Sequence, residues 1–506
     1  MLRFTLILVA CSLWANSFSQ VYTLPFDRLS QLRQDRVGLG AQNHVHSGAK
    51  PILLSDADVT GLSGFAEDTV DHYYKITEKI FSEHLVELEK PDFKLYADVL
   101  FDFGFGQETV DQISADRQEN SLFQNTRGFV VQGQIGKKVF FYTDFRENQG
   151  RYAEYINGFV DSTQVFPGSG RIKPFGEGGY DYSMASGFVG IEASDWLNLS
   201  FGHYKQFIGH GYRSQLLSDN AHNYPFASYE IDVLKGRIQH RYTLALLQNL
   251  QRLPQGETPE AIFKRKVASW NYLSFKPLSN LEVGIFEEVI WKVFDDSLGS
   301  QPFDGRALIP VPGINSAILG LDDEENNARL GLNAAWFVTP EIKIYGQVLS
   351  SSGQLNLDGF QVGSRWSGIF DRFDIQAEYN QSGNSATISP DDLQSAYHFN
   401  QPLGHVLGKD FSEVVAIISY YHNRIFGQVK SVYINSEIDD ETTSDNRAFE
   451  ILNTDLRLGY VFNPTNNFEL YAGYTYRNER VGNDESLNGF WYIGIRTALS
   501  NIYRDF

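Results

Sequence analysis

From about Phe93 onward the chain alternates apolar and polar residues with a period of two, in runs separated by two kinds of connection. The pattern is clearest late in the chain. Leu452, Thr454, Leu456, Leu458, Tyr460 and Phe462 take one face, and Asn453, Asp455, Arg457 and Gly459 the other. The next run sets Phe468, Leu470, Ala472, Tyr474 and Tyr476 against Glu469, Tyr471, Gly473, Thr475 and Arg477. A helix would repeat its apolar positions every 3.6 residues, whereas a strand repeats them every two. About eighteen such runs occur, centred on residues 98, 130, 142, 187, 200, 231, 244, 270, 286, 333, 345, 365, 377, 417, 430, 457, 472 and 494.

The connections sort by parity. Tight, polar or proline-bearing turns stand at Gly136-Lys137-Lys138, Pro277-Leu278-Ser279-Asn280, Thr339-Pro340-Glu341 and Asn463-Pro464-Thr465-Asn466-Asn467. Long irregular stretches run over roughly 150–179, 208–225, 296–327 and 383–410. A soluble β-sandwich has no reason to sort its loops this way. An outer-membrane barrel does, with short turns in the periplasm and long loops outside. The prediction is an all-β fold: an antiparallel up-and-down β-barrel of about eighteen strands over residues 93–506. Asp455, Arg457, Glu469 and Arg477 must then face a wet lumen, because charge on the lipid face is costly near mid-membrane. Three hairpins, LSFKPLSNLEVGIF, AWFVTPEIKIYGQV and YVFNPTNNFELYAG, place an aromatic and then a proline before the return strand. Proline cannot donate to a ladder and ends the strand, so the aromatic lies at the periplasmic interface.

Ahead of the barrel, Arg3 precedes an apolar run from Phe4 to Ala15 and the small residues Ser17 and Ser19. This is a secretory signal over residues 1–19, cut near Ser19-Gln20. Export without any other apolar stretch of transmembrane-helix length points to the outer membrane of a Gram-negative cell. Cys11 is the only cysteine; Leu8-Val9-Ala10-Cys11 resembles a lipoprotein processing site, although the apolar run continues past it. A cut after Ser19 leaves a mature chain without thiol chemistry. Residues 20–92 form a separate periplasmic or plug region, with a helix expected over Val70–Leu88 from the spacing of Tyr73, Ile76, Ile80 and Leu85. Phe506 resembles the terminal aromatic by which outer-membrane barrels are assembled.

Composition agrees. Aromatics make up 14% of the chain, with 27 Tyr and 38 Phe, yet mean hydropathy is −0.29, as expected of strands with one lipid face and aromatic girdles. A net charge of −20 excludes nucleic acid as a partner. The acidic clusters Asp322-Asp323-Glu324-Glu325 and Asp439-Asp440-Glu441 fall in long connections and read as solvated tips, or as collectors of divalent cations.

No catalytic constellation emerges. There is no Gly-x-Ser-x-Gly and no phosphate loop, and Gly168-Ser169-Gly170 reads as a turn. His203 with His210, and His44 with His46, lack metal-ligand logic. The expectation is a non-enzymatic protein without cofactor or metal. The segment Trp196–Pro225, WLNLSFGHYKQFIGHGYRSQLLSDNAHNYP, stands out. Its glycines, aromatics and planar polar groups are those of a sugar-binding loop, or of a loop folded into the pore with its polar groups satisfied internally. The candidate ligand residues are His210, Tyr212, Arg213, Ser214, Ser218, Asp219 and Asn220, joined by Tyr180 and Tyr182 of the aromatic-rich 150–182 connection.

The Gly209-His210-Gly211-Tyr212-Arg213-Ser214 stretch, continuing through Leu216-Leu217-Ser218-Asp219-Asn220-Ala221 to Pro225, resembles the signature of Wzi-type capsule-assembly outer-membrane proteins. It is particularly similar to their Bacteroidetes branch, which includes gliding-motility-associated members. His46-Ser47-Gly48-Ala49-Lys50-Pro51, Gly133-Gln134-Ile135-Gly136-Lys137-Lys138 and Glu147-Asn148-Gln149 carry the same resemblance. It implies an eighteen-stranded barrel with an N-terminal helical region at its periplasmic end, acting as a lectin that retains capsular polysaccharide. Gly209, Gly211, Ser214, Ser218, Asn220 and Ala221 are carried over as pattern-defining residues. The leading expectation is a barrel that binds surface polysaccharide at its extracellular rim, through the 204–225 and 150–182 loops. The alternatives are a porin or sugar-selective channel, and a structural part of a gliding-motility or secretion assembly. The expected partners are surface polysaccharide, outer-membrane lipid and other cell-envelope proteins.

Overall fold

The structure, a computed structural model, describes residues 22–23, 45–54, 74–109, 120–253, 263–295, 299–300, 305–319, 326–350, 357–383, 392–438, 447–497 and 503–506. The signal segment, Cys11, His44 and both acidic clusters lie outside these residues, as do Val70–Tyr73 of the expected helix.

Eighteen long antiparallel strands close into a barrel. In chain order the first six are β1 (Phe93–Thr109), β2 (Ser121–Ile135), β3 (Val139–Arg151), β4 (Gly179–Ser194), β5 (Leu197–Tyr204) and β6 (Tyr224–Val233). Then follow β7 (Ile238–Arg252), β8 (Phe263–Leu278), β9 (Leu281–Lys292), β10 (Asn326–Phe337), β11 (Ile342–Ser350) and β12 (Gly359–Ile369). The last six are β13 (Phe373–Ser382), β14 (Phe411–His422), β15 (Ile425–Ile438), β16 (Arg447–Asn463), β17 (Phe468–Val481) and β18 (Asp484–Arg496). Every one of the eighteen centres expected from the alternation falls inside one of these strands. Neighbours in sequence are neighbours in space, and β18 closes on β1 from Gly489 opposite Thr109 to Arg496 opposite Asp102. Closure leaves no ladder edge facing lipid, which the hydrocarbon would not tolerate.

The parity of the connections holds with one exception. The hairpin between β17 and β18 turns through Gly482-Asn483 on the long-loop side, with Gly482 at φ +59°, a conformation glycine adopts at no steric cost.

Side chains sort as the alternation requires. On β16, Leu452, Leu456, Leu458 and Tyr460 are exposed on the outer face, while Asn453 is buried and Arg457 pairs inward with Glu469. Phe275, Trp336 and Tyr460 lie exposed within a few residues of the turns, where an aromatic girdle belongs. A closed barrel of this strand number with an apolar outer band is an outer-membrane protein, its long connections facing outward.

The N-terminal region departs from expectation. Its helix, α1, covers only Lys75–Phe81, and Val86–Lys90 is a strand pairing with Phe93–Ala97 of β1. Val-Glu-Leu-Glu-Lys alternates with period two, and that pairing covers the part of β1 lying below the end of β18. His84 and Leu85 cap the junction on Asp98, at 2.5 and 2.9 Å. Helix α1 sits at the turn end: the Asn463 amide donates to the carbonyls of Lys79 and Glu83, and Phe81 packs edge-on against Phe462.

The lipid-facing assignment carries a test. Leu456→Arg near the middle of β16 is expected to lower barrel stability by about 2–4 kcal/mol, read as the urea midpoint of refolding into vesicles. An unchanged midpoint would contradict the outward orientation of Leu456.

Candidate functional site

Two segments enter the lumen and meet there. After Tyr204 the chain turns inward rather than outward, and Phe207–Ile208 forms a two-residue ladder with Ala49–Lys50 of the N-terminal region. The Gly209 N–H then donates to the Gly48 carbonyl at 2.8 Å. Residues 46–51 are themselves tied to the wall. The Ser47 and Gly48 N–H groups donate to the Glu282 carboxylate at 3.0 and 2.9 Å, His46 lies 2.7 Å from the Ser274 hydroxyl, and Arg241 holds the Pro51 carbonyl. Two of the sequence segments that share the resemblance are thus in direct contact inside the barrel.

Beyond Gly209 the loop crosses to the far wall. Glu378 of β13 accepts the Tyr212 and Arg213 N–H groups at 2.8 and 3.1 Å. A Cβ at Gly211 would stand 2.8 Å from the Arg213 backbone carbonyl and 2.4 Å from a Glu378 carboxylate oxygen, so any larger residue forces the loop to shift. Arg213 is fully buried, its guanidinium 2.9 Å from Glu413 of β14 and 3.1 Å from Asp505. A cation taken from water is tolerated only with such partners. The Ser214 hydroxyl donates to the Ile208 carbonyl and accepts the Leu216 and Leu217 N–H groups, a local turn that swings both leucines into an apolar cluster with Phe207, Tyr224 and Trp270.

The connection 383–410 presses on the loop from its other side. The Ser218 N–H donates to the Leu403 carbonyl at 2.7 Å, and the Asn220 amide donates to the Pro402 carbonyl at 2.8 Å. Asp219 accepts the Tyr503 hydroxyl at 2.8 Å. Residues Tyr503–Phe506 also lie in the lumen: Lys430 pairs with Asp505 at 2.8 Å, and Phe506 packs against Tyr155 and Phe159. Phe506 is therefore not an outward-facing aromatic at the foot of the last strand.

These contacts correct the expected rim site. His210, Arg213, Ser214, Ser218, Asp219 and Asn220 are all buried, and their partners come from inside the barrel. Of the seven loop candidates only Tyr212 keeps partial exposure, and it borders a cavity in the lumen. The 152–178 connection likewise closes on itself. Helix α2 (Glu154–Thr163) covers a cluster in which Tyr182 stacks on Phe166 at 4.1 Å and shares a 3.0 Å hydrogen bond with Tyr152. Tyr182 is buried, and Tyr180 remains half-exposed.

His210 stands 3.5 Å from the Ser47 hydroxyl and 3.9 Å from Glu282. Burial outweighs that carboxylate and pulls the imidazole down to about 3, so it is neutral at physiological pH. His398, in the 383–410 connection, is pulled down to about 3 by the same desolvation. What sequence reasoning missed is the set of partners: Glu282, Glu378, Glu413 and Asp505 are scattered over the chain. The available signal was that Glu282, Glu378 and Glu413 sit on inward positions of their strands; Asp505, in the segment after the last strand, gave none.

No protein-family model and no curated protein matches the chain. Among solved structures it is similar to Wzi, an outer-membrane protein involved in group 1 capsule assembly in Escherichia coli and described as a carbohydrate-binding β-barrel. The two share 12% identity over 94% of this chain and all of that one, with a TM-score of 0.55. OprD from Pseudomonas aeruginosa matches 83% of this chain with 98% of its own, at 11% identity and a TM-score of 0.42. OccK3 (OpdO) from the same organism gives 10% identity, 80% and 95% coverage and a TM-score of 0.44.

Arg213→Ala removes the cation shared by two buried carboxylates, leaving Glu413 with His405 and Asn380 and Asp505 with Lys430 and Tyr212. It is expected to destabilise the loop by about 3–5 kcal/mol, seen as new protease cleavage within residues 205–223; an uncut loop would contradict the clamp. The histidines give a pH signature. Because their folded values lie below the ordinary 6.5, the unfolded chain takes up protons first as pH falls, and loop stability is lost from about 6.5 downward toward 3. The His210 and His398 ring signals in NMR should stay those of neutral imidazole down to about pH 5; titration midpoints near 6.5 would contradict their burial.

Proposed function

We propose that the protein is a non-enzymatic outer-membrane barrel that binds or organises surface (capsular) polysaccharide. The observation that carries this reading is the lumen from β7 to β14. There Glu282, Glu287, Glu288, Arg329 and Asn380 are fully buried; residues 46–51 reach Glu282, the Leu216 carbonyl accepts from Arg329, and Ser316 of the 305–319 segment donates to Glu287. A wall whose charges pair with inserted chain is built for closure, and closure favours a binding scaffold over a pore. The likeness to the fold of Wzi supports the same reading, since that protein is described as carbohydrate-binding and as involved in capsule assembly.

With the loop candidates buried, glycan contact at the outer end falls to the ledge formed by the short strand Lys173–Phe175 paired with Tyr180. Arg171, Lys173 and Phe175 are exposed there, and Tyr180 is half-exposed. Guanidinium and ammonium donors beside two aromatic rings suit the hydroxyls and ring faces of a polysaccharide. Membership of the Bacteroidetes branch, and a part in a gliding-motility or secretion assembly, rest on the sequence motifs alone. Stoichiometric co-purification of envelope proteins would favour the assembly role. A selective channel is the second reading, favoured by the cavity that the described residues line beside β14–β18.

The test is retention of the cell's own surface polysaccharide on immobilised, refolded protein. Wild type is expected to retain it, and Phe175→Ala with Tyr180→Ala to lose most of it; a deletion strain is expected to shed polysaccharide into the medium. No retention, together with unchanged surface polysaccharide in the deletion strain, would refute the reading.

A further inference from the structure

Beside β14–β18 the described residues line a cavity of about 400 Å³, within the roughly 300–1,000 Å³ of small-molecule sites. Tyr212, Tyr503, Arg504 and Asp505 roof it toward the loop end, and its lower edge reaches Val461, Asn467 and Thr497 at the turn end. We propose that this cavity is a second saccharide site, which takes a short neutral oligosaccharide entering from the periplasmic side. The proposal rests on the polysaccharide reading above and adds to it a place where newly exported chains engage the barrel from within.

Three features select the ligand. The first is ring surface: the partly exposed Tyr421 and Tyr492 line the cavity, backed by the buried rings of Phe426 and Tyr471, over which Arg457 lies at 5.4 and 4.7 Å. Pyranose rings present apolar C–H faces that such surface accepts. The second is rigidity. The Tyr471 hydroxyl donates to Asp102 at 2.6 Å, and the Tyr492 and Thr475 hydroxyls both donate to Asp455 at 2.8 Å. The rings are thus positioned before any ligand arrives, which lowers the ordering cost of binding.

The third feature is charge balance. Lys430 pairs with Asp505, and Arg457 and Arg496 both bond Glu469. With Arg151, Arg504, Asp102 and Asp455 also in the lining, five cations face four carboxylates, a near balance that favours an uncharged ligand over a phosphate or an acidic headgroup. Carboxylate and guanidinium oxygens and nitrogens placed between aromatic rings are instead what paired hydroxyls require. An acyl chain would need a continuous apolar lining, and here charged groups interrupt it on every wall.

The experiment uses the full chain in detergent and, as probe, oligosaccharides released by mild acid from the cell's own surface polysaccharide, with binding followed by saturation-transfer NMR. Wild type and the exposed-turn variant Lys137→Ala are expected to bind them alike. Asp455→Asn, and Gln428→Trp, which fills the cavity, are expected to weaken binding at least about tenfold. Both variants are first checked for native heat-modifiable gel mobility. Equal binding by correctly folded cavity variants would overturn the proposal. So would an absence of oligosaccharide binding while intact polysaccharide is still retained, which would leave the outer-ledge reading standing. If neither form binds, both readings fall together.

Discussion

The whole structure depends on one constraint: a polar group removed from water must find a partner. In the bilayer it forces the backbone into a closed ladder, and the pairing of β18 with β1 supplies the last row of bonds. Inside the barrel the same constraint acts on side chains. Period-two alternation places Glu282, Glu288, Arg329, Glu378 and Glu413 on inward positions, and together they could not stay dry and unpaired. The barrel meets that requirement with its own chain rather than with a water column. Arg329 answers Glu288, the 46–51 segment answers Glu282, and the loop from Gly209 to Ser214 answers Glu378 and Glu413.

This division of labour makes the two halves of the lumen different. Beside β7–β14 the inserted segments complete the interior, and apolar side chains such as Leu216 and Leu217 pack against Trp270 and Tyr224 as in a soluble core. Beside β14–β18 the charges satisfy one another across the wall, Arg457 and Arg496 on Glu469 and Tyr492 on Asp455, and the described residues line a cavity. Residues Tyr503–Phe506 stand at the border between the halves, with Asp505 bridging Arg213 of the loop to Lys430 of the wall. One buried carboxylate therefore ties the plug to the roof of the cavity.

The strands were legible because their rule is local: two adjacent residues must face different media. All eighteen centres follow from it, as do the turns, since a proline or glycine that ends a strand acts on its own neighbours. What sequence could not resolve is where a polar loop is satisfied. Arg213, Asp219 and Asn220 have the same composition whether they hydrogen-bond to water, to sugar or to Glu413, Tyr503 and Pro402. The partner of Arg213 lies 200 residues away, on a strand whose inward position looked like any other. The overlong helix has a different cause. Val86 and Leu88 fit a helical face poorly but were close enough to Ile80 and Leu85 to be absorbed into it, although their alternation marks the strand that covers the foot of β1.

The central claim is that inserted chain closes this barrel, and single-protein conductance in planar bilayers tests it most directly. The account predicts that wild-type protein inserts without resolvable conductance steps, and that deleting residues 206–222 produces them. Steady, open-channel conductance from the intact wild-type chain would contradict it.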